Sequence, residues 1–350
     1  MAPNVSPSQS PPTPDPSDTS SVHHPQVGLE AEADNQRDDD SAIFDDGSVA
    51  SSTTSISSSI MKHREENGRT YHSYKEGKYL YPNDEVESDR LDLQHHIYTL
   101  CYDGKLISCP IDKDFQVQRV LDVGTGTGIW AIDYGDEHPE AAARNIPIFR
   151  SPDLPPNVTF EIDDIEEPWT FSQKFDFIHA RMVTGALADV PKFFDQAFEY
   201  TTPGGYVELS DITAPICCDD GTMKDDSAML QWISLLREAS SRVGRDLNVS
   251  ATYKAQLERV GYTHIVEKIY VWPMNRWPKD PKFKELGIWT CENMSGGVGG
   301  LSMALFTRVF GWSVEEVEGY LVNVRKEIKD TKIHSYWNIR TVYGRKPLDS

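Results

Sequence analysis

From residue 116 to residue 346, hydrophobic residues recur with two alternating periods. Short runs rich in β-branched and aromatic residues predict strands, whereas apolar residues three or four positions apart predict helices. The predicted strands are VQRVLDV at 117–123, VTFEIDD at 158–164, FDFIHAR at 175–181, YVELSDI at 206–212, THIVEKIYVW at 263–272 and YWNIRTVYG at 336–344. The predicted helices are GIWAIDYGDEH at 128–138, VPKFFDQAFEYT at 190–201 and ATYKAQLERVGY at 251–262. This alternation predicts an α/β fold with βαβ units and a mostly parallel sheet.

Two further segments flank or interrupt this pattern. Ahead of the sheet, in residues 61–115, Leu93, Ile97 and Leu100 fall on one helical stripe, which predicts a helical N-terminal segment. Residues 273–334, between the last two predicted strands, also contain helical patterns such as SVEEVEGYLVNVRKEI. We interpret this second segment as a helical insertion that caps the carboxyl edge of the sheet.

The first 60 residues differ in composition from the rest. They are rich in Ser, Pro, Thr and Asp, and they hold ten acidic residues against one Arg, a net charge of −9. Because they bring too few apolar groups to offset the loss of chain entropy on folding, we expect a disordered tail. The acidic stretch DDDSAIFDDG at 38–47 fits either a solvating tail or a partner-binding element.

Charge and composition argue against several classes of function. The formal net charge is −21, of which residues 61–350 carry −12, and an acidic body disfavours direct binding to nucleic-acid phosphates. The five cysteines include no C-x-x-C pair, which favours reduced thiols over a zinc knuckle or a disulfide framework. No apolar run approaches the length of a membrane span, and the opening residues MAPNVSPSQS lack the regions of a secretory signal. We expect a cytoplasmic or nuclear protein without a membrane partner.

A glycine-rich turn lies between the first strand and the first helix of the predicted sheet. Asp122 is followed by Gly124, Gly126 and Gly128, which gives the pattern D-x-G-x-G-x-G. Glycines at such a turn let the backbone approach a ligand closely, because no Cβ intervenes. A dinucleotide fingerprint would need glycine at Ile129, and a P-loop would need Gly-Lys-Ser/Thr, so neither motif is present. The turn predicts another kind of cofactor site; a purely structural turn is the alternative.

The D-x-G-x-G-x-G turn resembles motif I of the class I S-adenosylmethionine (SAM) methyltransferases. IDDIEEPW at 162–169 resembles the region where those enzymes place an acid near the adenine, and TTPGGYVEL at 201–209 resembles their Pro-Gly-Gly turn. The last two predicted strands resemble the closing antiparallel hairpin of the family. The resemblance implies a Rossmann-like class I methyltransferase sheet and SAM as cofactor. The implied cofactor-binding residues are Asp122, Gly124, Gly126, Gly128, Asp163 and Asp164.

A narrower resemblance covers most of residues 62–346. The segments ENGRTYHSYKEGKYLYPNDEVESDRLDLQHHIYTL, GTGIWAID, DDIEEPWTF and FDFIHARMVTG together are similar to the fungal LaeA-like methyltransferases. That family contains regulators of secondary metabolism and enzymes encoded within metabolite gene clusters. The resemblance implies a fungal source and leaves both roles open.

The stretch after the glycine turn departs from the family pattern. Nucleotide cofactor sites of this kind carry a second acid about 20 residues further on, at the ribose. Here AARNIPIFRSPDL follows, and no acid lies between Glu140 and Asp153. IPIF at 146–149 is the candidate for the second strand, although its proline favours an edge or interrupted strand. Asp153 replaces the acid only if its loop folds back, and the surrounding prolines favour an extended loop, so we favour a ribose site without Asp153.

Methyl transfer from a sulfonium requires alignment in a desolvated site, and a general base only when the nucleophile starts protonated. The candidate bases are His179, at the end of FDFIHAR, and His72; a structural histidine is the alternative for His179. Adjacent histidines point in different directions on a helix, so His95 and His96 predict no metal site.

Two groups of aromatic residues suit contact with the cofactor or the acceptor, and core packing is the alternative for both. Tyr71, Tyr74 and Trp130 are candidates for cation–π contact with the sulfonium. Trp277, Trp289 and Trp312 in the insertion suit a flat apolar acceptor.

The sequence leaves three functions open. The favoured one is SAM-dependent methylation of an apolar or aromatic small molecule in fungal secondary metabolism. The second is a LaeA-like nuclear regulator that acts through protein partners. The third is a non-catalytic relative whose SAM site has degraded.

Overall fold

The computed structural model describes residues 22–23, 29–32, 63–72, 79–111, 115–145, 155–161 and 164–350. Its elements in chain order are β1 (Val22–His23), β2 (His63–Glu66), β3 (Arg69–His72), α1 (Glu85–Cys101), β4 (Arg119–Val123), α2 (Ile129–Glu137), β5 (Ala142–Asn145), β6 (Val158–Phe160), β7 (Phe175–Arg181), α3 (Val190–Tyr200), β8 (Thr201–Cys217), α4 (Ala228–Arg242), α5 (Tyr253–Val260), β9 (Thr263–Pro273), α6 (Pro281–Leu305), α7 (Val314–Lys329) and β10 (Tyr336–Arg345). A 3-10 turn, Val249–Thr252, precedes α5, and a π-helical turn, Phe306–Phe310, follows α6.

Among the described residues, eight strands form one sheet in the order β1-β9-β10-β8-β7-β4-β5-β6. The strands from β8 to β6 pair in parallel, and β10 lies antiparallel between β8 and β9. The predicted mostly parallel sheet with a closing antiparallel pair is therefore confirmed. Strand order reverses at β4, whose neighbours are β5 and β7, and the carboxyl ends of strands at such a reversal form the ligand-binding crevice of open α/β sheets.

The central strand β7 shows why these residues form a covered sheet. Nearly all of FDFIHAR is buried, as expected for a strand with helices on both faces. Ile178 belongs to the core on one face, with Phe193 and Phe194 of α3. Phe177 belongs to the core on the other face, with Trp130 of α2. Because successive side chains point to opposite faces, this one strand contributes residues to a hydrophobic layer on each face of the sheet.

The predicted helices are present, with boundaries that follow local signals. Gly261 ends α5 in the left-handed conformation, with φ of 103°, as its position after the apolar pattern predicts. Between β9 and β10 the chain forms α6 and α7, and α6 packs against α1, α4 and α7. Helix α4 was not predicted. No helix in the described part of the chain is both long enough and apolar enough to cross a bilayer.

The N-terminal segment is not helical throughout. Residues 63–72 form a β-hairpin, β2 and β3, and the helix is confined to α1. Asn67 and Gly68 connect the two strands with φ of 53° and 72°. Asn-Gly with positive φ at both residues is the signature of a type I′ hairpin turn, so a local signal for this hairpin was present in the sequence.

The second strand of the cofactor-binding half begins before IPIF. Among the described residues it comprises AARN, as β5, which pairs with β4 through Asp122 and Asn145 and lies between β4 and β6. Residues 146–154, which include IPIF and Asp153, lie outside the described residues.

Two short pieces of the first 60 residues lie against the sheet and the cap. β1 pairs in parallel with β9. Further along, the Glu32 N–H donates to the Trp277 carbonyl at 3.1 Å, and Glu30 forms an ion pair with Lys279 at 3.4 Å. These pieces depart from the expected disordered tail because backbone groups pair with them, at the edge of β9 for β1 and at residues 277–279 for the second piece. The acidic stretch 38–47 lies outside the described residues.

Candidate cofactor and acceptor site

A cavity, called the cofactor cavity below, lies at the carboxyl end of β4. The glycine turn forms one wall, and α1 forms the wall that faces it. The lining residues are His72, Tyr79, Leu91, Gln94, His95, Tyr98, Asp122, Gly124, Thr125, Gly126, Thr127, Ile129, Trp130, Arg181 and Met182. The position agrees with the crevice expected where strand order reverses.

The three glycines of the turn have different surroundings. All have positive φ, which L side chains rarely adopt. A Cβ on Gly126 would lie 3.2 Å from Leu91 Cδ1, so a side chain there would enter the space between the turn and α1. A Cβ on Gly128 would lie 2.7 Å from the Phe160 ring, away from the cavity lining. Gly126 therefore keeps the cavity open, whereas Gly128 permits packing of α2 on β6.

Asp122 and His179 form a buried pair at the floor of the cofactor cavity. Asp122 Oδ1 lies 2.8 Å from His179 Nδ1, and Trp130 stacks on the imidazole with ring centroids 3.7 Å apart. Burial raises the pKa of Asp122 to about 7 and lowers the pKa of His179 well below its ordinary value. Asp122 lines the cavity and His179 lies behind it, so the imidazole is placed to orient the carboxyl group.

A second chain of polar contacts joins α1 to β7. His95 Nε2 lies 2.9 Å from Asp133 Oδ2, and His95 Nδ1 lies 2.8 Å from Arg181 Nη2. Because a guanidinium only donates, Nδ1 is the acceptor and Nε2 carries the ring proton toward Asp133. The Arg181 guanidinium also lies over the Tyr98 ring, 4.7 Å from its centroid. These contacts hold a buried cation against the cofactor cavity. No group of His, Cys, Asp and Glu among the described residues is arranged to hold a metal.

His72 lines the cofactor cavity, and its tautomer is set by its neighbours. Thr70 Oγ1 donates to Asn83 Oδ1 at 2.9 Å, which turns the Asn83 amide nitrogen toward His72 Nδ1 at 3.0 Å. Nδ1 must then accept, and Nε2 carries the proton. A ring in this tautomer is a donor at its other nitrogen, which disfavours His72 as a general base.

A second cavity, called the acceptor cavity below, lies between α1, α4, α6 and the carboxyl ends of β7 and β8. Its wall is mostly apolar and includes the indoles of Trp232, Trp272 and Trp337. The other lining residues are Tyr79, Tyr81, Glu87, Arg90, Leu91, Gln94, Met182, Thr184, Ile212, Ala214, Ile233, Leu236, Leu247, Asn293, Met294, Leu301 and Leu305. Four residues line both cavities: Tyr79, Leu91, Gln94 and Met182. The two cavities are therefore adjacent and share one wall.

The structure brings together only part of the set that the motifs imply. Asp122, Gly124 and Gly126 line the cofactor cavity, and Gly128 stands behind them. Asp164 accepts the Glu166 N–H at 3.0 Å and does not contribute to the described cavity lining. The predicted residues that lie outside the described part of the chain are Tyr74, Asp153 and Asp163.

The other aromatic candidates pack within the protein. Tyr71 is buried beneath the Arg308 guanidinium, 5.3 Å from its ring centroid. Trp277 Nε1 donates to the Ser335 carbonyl, and Trp289 meets the His96 ring edge to face. The Trp312 ring contacts Phe306, Phe310 and Tyr320. For the three insertion tryptophans, packing against neighbouring residues explains the side chains, and other indoles line the acceptor cavity.

Sequence reasoning missed the contribution of α1. Leu91, Gln94, His95 and Tyr98 lie at helical positions i, i+3, i+4 and i+7, so they share the face that lines the cofactor cavity. The helix was predicted from the neighbouring apolar stripe through Leu93 instead. A mixed polar and aromatic face at the same spacing was the available signal.

Comparisons with known proteins agree with this geometry. A family model described as a methyltransferase domain matches residues 93–267. The chain is 35% identical over 300 residues to methyltransferase pytC of Aspergillus terreus, which covers 85% of this chain and 92% of that protein. The chain belongs to the LaeA-like methyltransferase family. A second relative in this family, the secondary metabolism regulator LAE1 of Cochliobolus heterostrophus, is 35% identical over 289 residues, which is 81% of this chain and 94% of that protein.

A solved structure, Haemonchus contortus phosphoethanolamine N-methyltransferase 2 in complex with SAM, is similar at 16% identity and a TM-score of 0.41. The matched region covers 73% of this chain and 57% of the Haemonchus contortus protein. The LaeA-like methyltransferases are SAM-dependent enzymes, and SAM is the cofactor of this chain.

The residues present fit SAM. The cofactor cavity offers a glycine turn without Cβ atoms for close backbone approach, and apolar contacts from Leu91 and Met182. Arg181 provides a buried cation, which suits the carboxylate of an amino-acid moiety.

Proposed function

We propose that this protein transfers the methyl group of SAM, bound in the cofactor cavity, to an apolar or aromatic small molecule bound in the acceptor cavity. The observation that carries the proposal is the wall that the two cavities share. Leu91, Gln94 and Met182 line both, so ligands in the two cavities would meet there. Adjacent, separately lined cavities are what a two-substrate transfer needs, because the reacting atoms must be held at contact distance.

On this proposal Asp122, Gly124 and Gly126 contact SAM, and Gly128 supports the turn from behind. Arg181 pairs with the carboxylate of SAM, since it is a buried cation held by His95. Asp163 and Asp164 stay predicted contacts on the adenine side. Residues 116–346 would form the SAM-binding domain with a cap at 273–334, and residues 61–115 would close the cofactor cavity through α1.

SAM supplies an electrophilic methyl group on a sulfonium when bound. The chain's own contribution is then to align the acceptor and exclude water at the shared wall. Leu91 and Met182 are apolar, Gln94 is neutral at every accessible pH, and burial raises the pKa of the Tyr79 hydroxyl. Because these side chains offer no proton acceptor with a pKa near neutrality, they suit an acceptor atom whose lone pair is available without deprotonation.

The second candidate function is a regulator that acts through protein partners, supported by relatives such as the regulator LAE1. On this alternative the acceptor would be a protein side chain that enters the acceptor cavity. A cytoplasmic or nuclear location suits both candidates, and the location remains a proposal.

A labelling experiment tests the proposal. The purified protein is incubated with SAM that carries a trideuterated methyl group, together with an extract of the source organism split into small-molecule and protein fractions. We expect the label in an apolar compound of the small-molecule fraction, and none with Gly126→Val, in which a side chain occupies the cofactor cavity. Label only in protein would favour the regulator, and no label in either fraction, with SAM bound, would contradict the enzymatic proposal.

A further inference from the structure

A buried polar cluster stands in the otherwise apolar wall of the acceptor cavity. Arg90 Nε donates to Glu87 Oε2 at 3.0 Å, and Arg90 Nη2 donates to Glu87 Oε1 at 2.6 Å. Arg90 Nη1 donates to Asn293 Oδ1 at 3.0 Å, which joins α1 to α6. All three residues line the acceptor cavity. The bidentate ion pair therefore fixes a guanidinium that in turn holds one amide.

This cluster determines which way the Asn293 amide points. A guanidinium has only donors, so the amide oxygen must face Arg90 and the amide nitrogen must face away. Asn293 is 1% exposed, and within the described part of the chain its Nδ2 has no hydrogen-bond acceptor. Trp337 Nε1, which belongs to a second residue of the same wall, is also buried without an acceptor there. A buried donor without a partner is costly, so these two groups in a cavity wall are positions where a bound acceptor atom lowers the free energy.

We infer that the methyl acceptor carries a carbonyl-type oxygen that accepts a hydrogen bond from the Asn293 amide nitrogen. Asn293 Nδ2 and Trp337 Nε1 can only donate, so a ligand that pairs with them must offer an acceptor oxygen. The surrounding indoles and aliphatic side chains suit the apolar or aromatic remainder of the molecule. This inference rests on the proposed function.

The oxygen is a binding group and not the atom that receives the methyl. Asn293 lines only the acceptor cavity, whereas the wall shared with the cofactor cavity is formed by Tyr79, Leu91, Gln94 and Met182. The carbonyl would orient the acceptor so that a different atom faces that wall. A site built to bond a substrate oxygen rejects the analogue without it, because its donors are then left unpaired.

Two probe compounds of the same shape test the inference. The first, 1-tetralone, has an aromatic ring and one ketone; the second, tetralin, has a CH2 in place of the C=O. Equilibrium dialysis gives the ratio of their dissociation constants for the wild type, Asn293→Asp and Asn293→Leu. Asn293→Asp keeps an oxygen for Arg90 and removes the donors, so we expect the ratio to move about tenfold against the ketone. Ile233→Val, in the same wall, should weaken both probes and keep the ratio within about twofold.

A measurement on the wild type keeps the test independent of variant folding. The infrared C=O stretch of bound 1-tetralone should lie below its value in cyclohexane, because a hydrogen bond weakens the C=O bond. A stretch at the cyclohexane value, an unchanged ratio in both Asn293 variants, or no binding of either probe would each overturn the inference. SAM affinity is measured in parallel by calorimetry. If the wild type binds SAM but shows no preference for the ketone, the inference is refuted and the proposed function is not. If the wild type prefers the ketone but does not bind SAM, the proposed function is refuted.

Discussion

Asp122 and His179 stand opposite each other on the adjacent parallel strands β4 and β7, and their side chains are joined by a 2.8 Å hydrogen bond. Burial opposes the charged form of both groups: it raises the pKa of Asp122 to about 7 and lowers that of His179 well below 6.5. Over most of the acidic range the pair therefore holds one proton and no net charge. One member, Asp122, borders the cofactor cavity.

Replacing His179 by Phe should expose the titration of Asp122 in the pH dependence of stability. Between about pH 4 and 6.5 the unfolded wild type holds one proton on this pair, on His179, and the folded wild type also holds one, on Asp122. The pair then contributes no slope. In His179→Phe the folded state holds one proton more than the unfolded state, so the contribution of Asp122 is full below about pH 4 and is lost as pH rises through about 7.

We expect the unfolding free energy of His179→Phe to fall relative to the wild type by up to about 1.4 kcal/mol per pH unit in that window. Urea denaturation from pH 4 to pH 8 measures it, and the wild type is the matched control because all other titrating groups are shared. Parallel profiles for the two proteins would show that Asp122 is ionised in folded His179→Phe while the folded wild-type pair keeps its one proton.

Valine at Gly126 and at Gly128 should have separable effects. Gly126→Val places a side chain against Leu91 inside the cofactor cavity, so we expect SAM affinity to fall by at least about tenfold, or 1.4 kcal/mol. Gly128→Val drives a side chain into the Phe160 ring, so we expect a loss of about 2–4 kcal/mol in unfolding free energy from overpacking and backbone strain. Calorimetry with SAM and chemical denaturation on both variants test the distinction. Equal SAM affinity in wild type and Gly126→Val would show that SAM does not bind beside the glycine turn.

A protein that starts at Met61 should melt within a few degrees of the full chain. Among the described residues, the tail contacts the rest of the chain through the short strand β1, through backbone hydrogen bonds of Glu30 and Glu32 and through exposed ion pairs. Glu30 with Lys279, at 66–77% side-chain exposure, is one such pair, and exposed pairs contribute about 0–1 kcal/mol. Loss of about 1 kcal/mol lowers the melting temperature by roughly 2–4 °C in a domain of this size class. A drop of 10 °C or more would mean that the tail carries a larger share of the stability.

Asp153→Ala should leave the SAM dissociation constant within about threefold of the wild-type value. Pro152 precedes Asp153, and Pro155 and Pro156 follow it. These prolines favour an extended loop over one that folds back to the ribose. A charge-assisted hydrogen bond contributes about 1.5–3 kcal/mol, so a real ribose contact would cost tenfold or more in affinity. Calorimetry on the variant distinguishes the two, with thermal melting as the check that its fold is unchanged.

Local patterns in the sequence determined most strands of the sheet and the position of the cofactor turn. FDFIHAR forms β7 with the predicted boundaries, Gly261 caps α5, and the glycines after Asp122 form a tight turn at the strand end. These features follow from the alternation of side chains along a strand and from the backbone freedom of glycine, both of which act over a few residues. The methyltransferase motifs could be recognised in the sequence for the same reason, because each is a short run of neighbouring residues.

The tertiary structure alone decided which side chains meet at the two cavities. Arg90 and Asn293 are 203 residues apart, and only the packing of α6 on α1 joins them. Trp337, rather than a tryptophan of the insertion, lines the acceptor cavity because β10 inserts between β8 and β9. Periodicity shows which face of an element is apolar and not which element will cover it. The acceptor cavity therefore depends on strand order and helix packing, which no local pattern encodes.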